Sequence, residues 1–185
     1  MKELTLENLQ ADSACAEGLA WIAPLLEAGG PTEKDWLKRS SYWAWALLQG
    51  YDVSVSLTLA RTLQPWVALH YALDRLTDDE VAVLARREPR AALVYALDRL
   101  PDEVVIEIAR RCPWAGLRYA LDRLPADVLI ELARRDPRGG LLNAADRLPD
   151  EVVIEIARRL PRAALVYARD RLPADVVAEL REMAR

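Results

Sequence analysis

General acid–base or nucleophilic catalysis near neutral pH usually needs a histidine beside a partner, and the chain has one histidine, His70. The five serines, Ser13, Ser40, Ser41, Ser54 and Ser56, lie in no G-x-S-x-G elbow, and there is no second histidine from which to build a triad. Gly29-Gly30 and Gly139-Gly140 are not followed by Lys-Ser/Thr, so no phosphate loop is spelled. The two cysteines, Cys15 and Cys112, stand far apart and suggest neither a disulfide framework nor a zinc knuckle. They read as two reduced, buried thiols. No catalytic, cofactor-binding or metal-ligating residue is assigned, and the chain is expected to be no enzyme and to need no cofactor.

The most regular polar feature is an Asp-Arg pair, found at Asp74-Arg75, Asp98-Arg99, Asp122-Arg123, Asp146-Arg147 and Asp170-Arg171. Such a ladder could grip an extended ligand. It could instead be structural, with the aspartate capping a helix or pairing with an arginine of the next unit. The structural reading is preferred, because repeats copy structural devices most faithfully.

The elements that carry the pairs recur with a constant period of 24 residues. Aligned on proline, the units are 65–88, 89–112, 113–136, 137–160 and 161–185; the segment LPDEVVIEIARR is identical at 100–111 and 148–159. Proline lacks a donor N–H and pre-sets φ, so it ends one helix and suits the first turn of the next. In the second unit the first segment is expected from about Arg90 to Asp98 and the second from about Pro101 to Arg111. Asp102, Glu103, Asp127, Asp150, Glu151 and Asp175 open the second segments, and paired arginines such as Arg110-Arg111 and Arg134-Arg135 close them, as the helix macrodipole favours. Leu93, Ala96 and Leu100, with Val105, Ile108 and Ala109, form the expected core columns. Val104 and Ile106 widen the apolar face, as a helix between two neighbours requires, while Glu107, Glu131 and Glu155 read as solvent positions. Arg169 and Arg181 interrupt apolar columns of the fifth unit and give it the character of a C-terminal cap.

Residues 1–64 have no such period. Helices are expected over 6–10, 14–27, 33–49 and 52–63, broken at Gly29, Gly30, Pro31 and Gly50. This segment is expected to cap the array, with Trp21, Trp36, Tyr42, Trp43 and Trp45 as its core. All three lysines, Lys2, Lys34 and Lys38, fall in it.

Composition bounds the rest. The chain has 185 residues, 52% hydrophobic, and a net charge of −4 from 25 basic and 29 acidic side chains. The two signs are interleaved, so no strongly basic nucleic-acid surface is advertised. No signal-like apolar run opens the sequence and none approaches the ~20 residues of a membrane span, so a cytoplasmic protein without membrane contact is expected.

The unit resembles the leucine-rich variant repeat of bacteria, through the frame carried in the third unit by Leu117, Tyr119, Ala120, Asp122, Pro125, Asp127, Val128, Leu132 and Ala133. That resemblance covers 65–185. It implies an all-α fold, a right-handed α-solenoid of five two-helix repeats, each a short helix or 3-10 segment plus an α-helix, behind the N-terminal helical cap. Some members carry a four-cysteine iron–sulfur site near the N-terminus; one cysteine stands in that part here, so the site is not carried over. The opening LTLENLQADSACAEGLAWI is similar, more loosely, to the N-terminal segment of uncharacterised bacterial and phage-associated proteins, which implies no activity.

A repeat that copies its framework can vary its outward residues to suit a partner. One variable column is Trp66, Arg90, Trp114, Arg138 and Arg162; a second is His70, Val94, Arg118, Leu142 and Val166. Beside them run Tyr71, Tyr95, Tyr119, Asn143 and Tyr167. Tryptophan, tyrosine and arginine dominate binding hot spots, since each buries large area and keeps a polar handle. The candidate partner-binding residues are Trp66, Tyr71, Arg90, Tyr95, Trp114, Arg118, Tyr119, Arg138, Arg162 and Tyr167, and the partner expected is a protein or peptide. The alternatives are nucleic acid held by the arginine rim, which the net charge disfavours, and an inhibitor or immunity-type role in a mobile element.

Overall fold

Pro65, Pro89, Pro113, Pro137 and Pro161 each begin a short helix, as the fixed φ of proline allows. A computed structural model describes residues 2–53 and 64–185, and among these the chain is all-helical apart from one isolated β-bridge, Lys2 to Tyr51. Four of the five short helices run seven residues, from Pro65–Tyr71 to Pro161–Tyr167. They close at an alanine such as Ala96 (φ −127°) or Ala120 (φ −113°), and a single 3-10 turn follows, as at Leu97–Arg99 and Leu121–Arg123. The expected unbroken helix from Arg90 to Asp98 is thus two pieces. The first repeat breaks in the same way although Thr77 follows its Leu76 (ψ 144°), so the proline is not required; in the other repeats Pro101 and its equivalents also hold the residue before them extended. Leu124, before Pro125, has ψ 131°.

The longer helices are Asp78–Arg87, Asp102–Arg111, Ala126–Arg135, Asp150–Arg159 and Ala174–Met183. Pro101, Pro125, Pro149 and Pro173 sit one residue before the helix, as N-caps, rather than inside it as expected. The first repeat has Thr77 there and uses a reciprocal cap: the Thr77 N–H donates to Glu80 (2.8 Å) and the Glu80 N–H to the Thr77 hydroxyl (3.3 Å). Ten residues are too few for a helix stable alone in water, so packing must supply the stability.

The fourth short helix departs from its fellows. After Pro137–Gly139 it widens into a π-turn over Gly140–Ala144. Asn143, where the other repeats have tyrosine, donates its side-chain amide to the Gly139 carbonyl (3.3 Å), competing with the regular ladder.

Two compact units result, Met1–Ala96 and Leu97–Arg185. In the first, α1 (Leu6–Ala11), α2 (Ala16–Glu27), α3 (Glu33–Lys38) and α4 (Ser40–Leu48) precede the first repeat and the second repeat's short helix. The breaks at Gly29, Gly30 and Gly50 hold, and all three adopt positive φ. An additional break separates α3 from α4 at Arg39 (φ −137°), whose guanidinium pairs with Glu17 (3.3 Å). The helix expected over 52–63 is not seen at 52–53, and 54–63 lies outside the described residues. Helix α4 packs against Pro65–Tyr71, and Arg75 of the first repeat donates to the Val53 carbonyl at 2.8 Å. Asp12 receives Lys2 (2.7 Å) and the Tyr51 hydroxyl (2.8 Å), pinning the start of the chain to the end of α4. Burial, then the Asp12 hydrogen bond, push the Tyr51 hydroxyl up to about 12.

In the second unit, Val105, Ile108 and Ala109 are fully buried together with Leu117, Leu132 and Ala133. Val104 is buried as well, whereas Ile106 is half-exposed. The short helix crosses the preceding long helix closely: a Cβ at Gly116 would lie 2.7 Å from the Ala109 Cβ, and one at Gly140 2.7 Å from that of Ala133. The corresponding positions, Ala68, Ala92 and Ala164, are alanines with no exposed surface. Only the two smallest side chains occupy this column.

Ile108→Ala should lower the free energy of unfolding by ~2 to 5 kcal/mol through lost contacts and an unfilled cavity. Chemical denaturation should show a larger loss for this variant than for truncation after Leu160, since stacked repeats depend chiefly on their neighbours. Equal or greater damage from the truncation contradicts that picture.

Candidate functional site

A seven-residue helix buries only part of its surface. In the short helix of the second repeat, Ala92 and Leu93 turn inward, with the closing Ala96, and the residues left outside are Arg90, Val94 and Tyr95. The same positions stand outward in every repeat except for Asn143, which is half-buried. The tyrosines at the last helical position are about as exposed as one another, from Tyr119 at 37% to Tyr71 and Tyr95 at 41%. Val166 is 71% exposed. Large apolar side chains repeated on one set of helix faces are the feature a binding surface requires.

Within the first unit the short helices Pro65–Tyr71 and Pro89–Tyr95 pack side by side. The His70 ring sits between two tyrosines, edge-on to Tyr71 at 4.1 Å and tilted against Tyr95 at 3.9 Å. His70 therefore belongs to an aromatic cluster on the surface. Trp66 is 40% exposed on the same helix.

Within the second unit Trp114 meets Tyr119 edge-on at 6.0 Å, and the Arg118 guanidinium lies 6.0 Å over the first ring and 5.9 Å over the second. Arg118 also donates to the Asn143 side-chain oxygen (3.4 Å), which joins the third and fourth repeats along the face. Leu142, Val166 and Tyr167 stand exposed at the same positions further along. Arg138 is exposed, while Arg162 donates to the Ala184 carbonyl (3.2 Å) and is spent partly on holding the last long helix. The candidate residues thus form local clusters around Tyr71 with Tyr95, and around Trp114, Arg118 and Tyr119. Val94, Leu142 and Val166 extend the surface. They stood in a variable column, but their aliphatic character gave no reason to separate them from core.

The Asp-Arg ladder does structural work, done mainly by the arginine. Arg123 donates to the carbonyls of Leu97 and Leu100 (2.7 Å to the latter), and to Asp102, all in the preceding repeat. Arg171 repeats the arrangement on Ala145 (2.7 Å), Leu148 (3.2 Å) and Asp150 (2.7 Å). Where the third repeat has Ala126 in place of that first-turn aspartate, Arg147 turns to Asp122 (2.6 Å) and the Leu121 carbonyl (3.2 Å). The arginine rim is likewise occupied by neighbours: Arg110 binds Glu131 (2.9 Å), Arg134 binds Glu155 (2.8 Å) and Arg158 binds Glu179 (3.0 Å). Glu131 and Glu155 are therefore ion-pair partners rather than free solvent positions. These guanidinium groups already hold carboxylates that a phosphate would have to displace.

Cys15 is exposed, contrary to the expected buried thiol, and Cys112 is half-buried. The reason is local: Cys15 is the N-cap of α2, and its sulfur accepts the Gly18 N–H at 3.3 Å, which holds the side chain at the outer end of the helix. The tryptophan cluster is also divided. Trp36 and Trp43 are core, whereas Trp21, Tyr42 and Trp45 are half-exposed.

No family model matches the chain, and neither a curated protein nor a solved structure is similar to it.

The two ladders yield separate expectations. Arg123→Met should cost ~1 to 2 kcal/mol in urea unfolding, a charged hydrogen-bond cluster discounted for its partial exposure, and Arg123→Lys should recover little because one ammonium cannot span both carbonyls. The hydrogen bonds from Arg134 hold the Glu155 carboxyl below its ordinary range. A depressed folded-state pKa adds stability above the unfolded value, about 4.3 for glutamate, and that stability is lost as pH falls through the folded value. The Tm gap between wild type and Glu155→Gln should accordingly be widest near neutrality and close on acidification; a gap independent of pH refutes it.

Proposed function

We propose that the chain is a non-enzymatic scaffold that binds a protein or peptide, built as a right-handed α-solenoid of the leucine-rich variant type. The constant 24-residue period supports the architecture, as do the bonds that recur between successive repeats in the second unit, such as Arg110 to Glu131 and Arg134 to Glu155. The observation that carries the function is the character of the short-helix faces. They expose Trp66, Tyr71, Tyr95, Trp114, Tyr119 and Tyr167, and no aspartate or glutamate occurs in any of the five short helices of a chain whose net charge is −4. Their ionisable groups, tyrosines aside, are His70, Arg90, Arg118, Arg138 and Arg162. Aromatic anchors among cations suit an acidic segment with apolar side chains: the anchors supply buried area, and the cations supply steering and register.

Alanine at Tyr95, Trp114 and Tyr119 together removes three of the anchors while leaving the buried columns in place. In affinity capture with quantitative mass spectrometry, the triple variant should lose the partner that wild type retains, and the wild-type complex should weaken as salt is raised. Unchanged capture by the variant refutes the assignment of this face. Duplex DNA binding at ~50 mM salt that survives the triple substitution would favour a nucleic-acid role instead.

A further inference from the structure

In the first unit a cavity of about 330 Å³ opens among α1, α2, α3 and α4. Its aromatic wall is Trp21, Trp36, Tyr42 and Trp45, with Trp21 set 5.3 Å from Trp36 and 5.5 Å from Tyr42 in edge-on and tilted contacts. Three of the four rings remain half-exposed, and the cavity stays open beside their contacts.

The volume is at the lower end of the range for small-molecule sites, ~300 to 1,000 Å³, and the composition matches such sites: mostly apolar, with a few polar atoms at one edge. Ser13 and Ser41 are among the lining residues, as are Cys15 and Tyr42, whose sulfur and hydroxyl lie 4.0 Å apart. The Tyr42 hydroxyl, which can both donate and accept, is thus available at the cavity wall as a donor to a ligand. Burial raises the Tyr42 pKa further above neutrality. Among the described residues no charged side chain lines the cavity. The nearby charges are engaged with each other, Arg39 with Glu17 at 3.3 Å and Lys2 with Asp12 at 2.7 Å. A charged ligand would give up its hydration here for no counter-charge.

We propose that this cavity is a binding site for a neutral, planar molecule of one or two fused aromatic rings, oriented by a hydrogen-bond acceptor at Tyr42. The site is separate from the short-helix faces and does not depend on the binding of a macromolecular partner there.

The two thiols make the test internal to the native chain. Cys15 lines the cavity and Cys112 does not. With quinoline as probe at neutral pH, iodoacetamide labelling read by peptide mass spectrometry should show Cys15 protected and Cys112 unaffected. At a concentration about ten times its Kd, roughly one tenth of sites stay open and alkylation of Cys15 slows about tenfold. Naphthalene-2-carboxylate, similar in size but charged, should protect much more weakly. A Cβ at Gly18 would stand 3.3 Å from the Cys15 sulfur and 3.7 Å from the Tyr42 ring, so Gly18→Leu places its side chain at this wall. That variant should retain cooperative thermal unfolding and lose protection by quinoline. The proposal is overturned by absence of saturable protection at Cys15, by equal protection of both cysteines, by equal protection from the carboxylate, or by protection that survives Gly18→Leu in the folded variant.

Discussion

A Cβ on Gly116 would come to 2.7 Å from the Ala109 Cβ, and Gly140 stands in the same relation to Ala133. At that separation not even a methyl group fits at these two crossings without a shift, so the short helix and the long helix before it meet there by backbone approach. Ten-residue helices have little stability of their own, so this contact is what lets each repeat borrow stability from the next. It also sets the register. With the backbones held close, within the second unit an arginine near a long helix's end meets the glutamate 21 positions later, as in Arg110 to Glu131 and Arg134 to Glu155.

The polar ladders follow from that register and adapt to local sequence. Arg123 and Arg171 each find a first-turn aspartate in the preceding repeat, whereas Arg147 faces Ala126 and takes the exposed Asp122 instead. Arg75 serves the same purpose in the first unit, where it holds the Val53 carbonyl. One residue type at one position thus fastens both a repeat to a repeat and the first repeat to the segment before it. The surface salt bridges contribute little individually, and the carbonyl bonds, partly buried, matter more.

Much of this was legible in residue patterns. Val105, Ile108 and Ala109 recur with their equivalents every 24 residues, and glycines and prolines mark the corners. The outward columns were legible too, because variation against a copied framework picks out positions that packing does not dictate. The break at Arg39 was not, since Trp36 through Leu47 holds no proline or glycine and nothing local forbids a continuous helix. Nor could spacing say which carboxylate an arginine takes, when partners 21 and 25 residues away are both in reach. The aromatic cluster of α2 to α4 was the hardest case. Sequence shows that Trp21, Tyr42 and Trp45 are large and apolar, but whether such rings fill a space or surround one depends on the angles between helices.

The arginine staple has a consequence for how the chain is made. The Leu97 and Leu100 carbonyls receive their donor from a residue 26 and 23 positions downstream, and those of Ala145 and Leu148 from one at the same distances. During synthesis, a turn emerging from the ribosome keeps those carbonyls in water until about one further repeat has followed it. At these two turns completion is therefore vectorial: the following repeat supplies the donor, and a pause in translation before it leaves the turn unlatched.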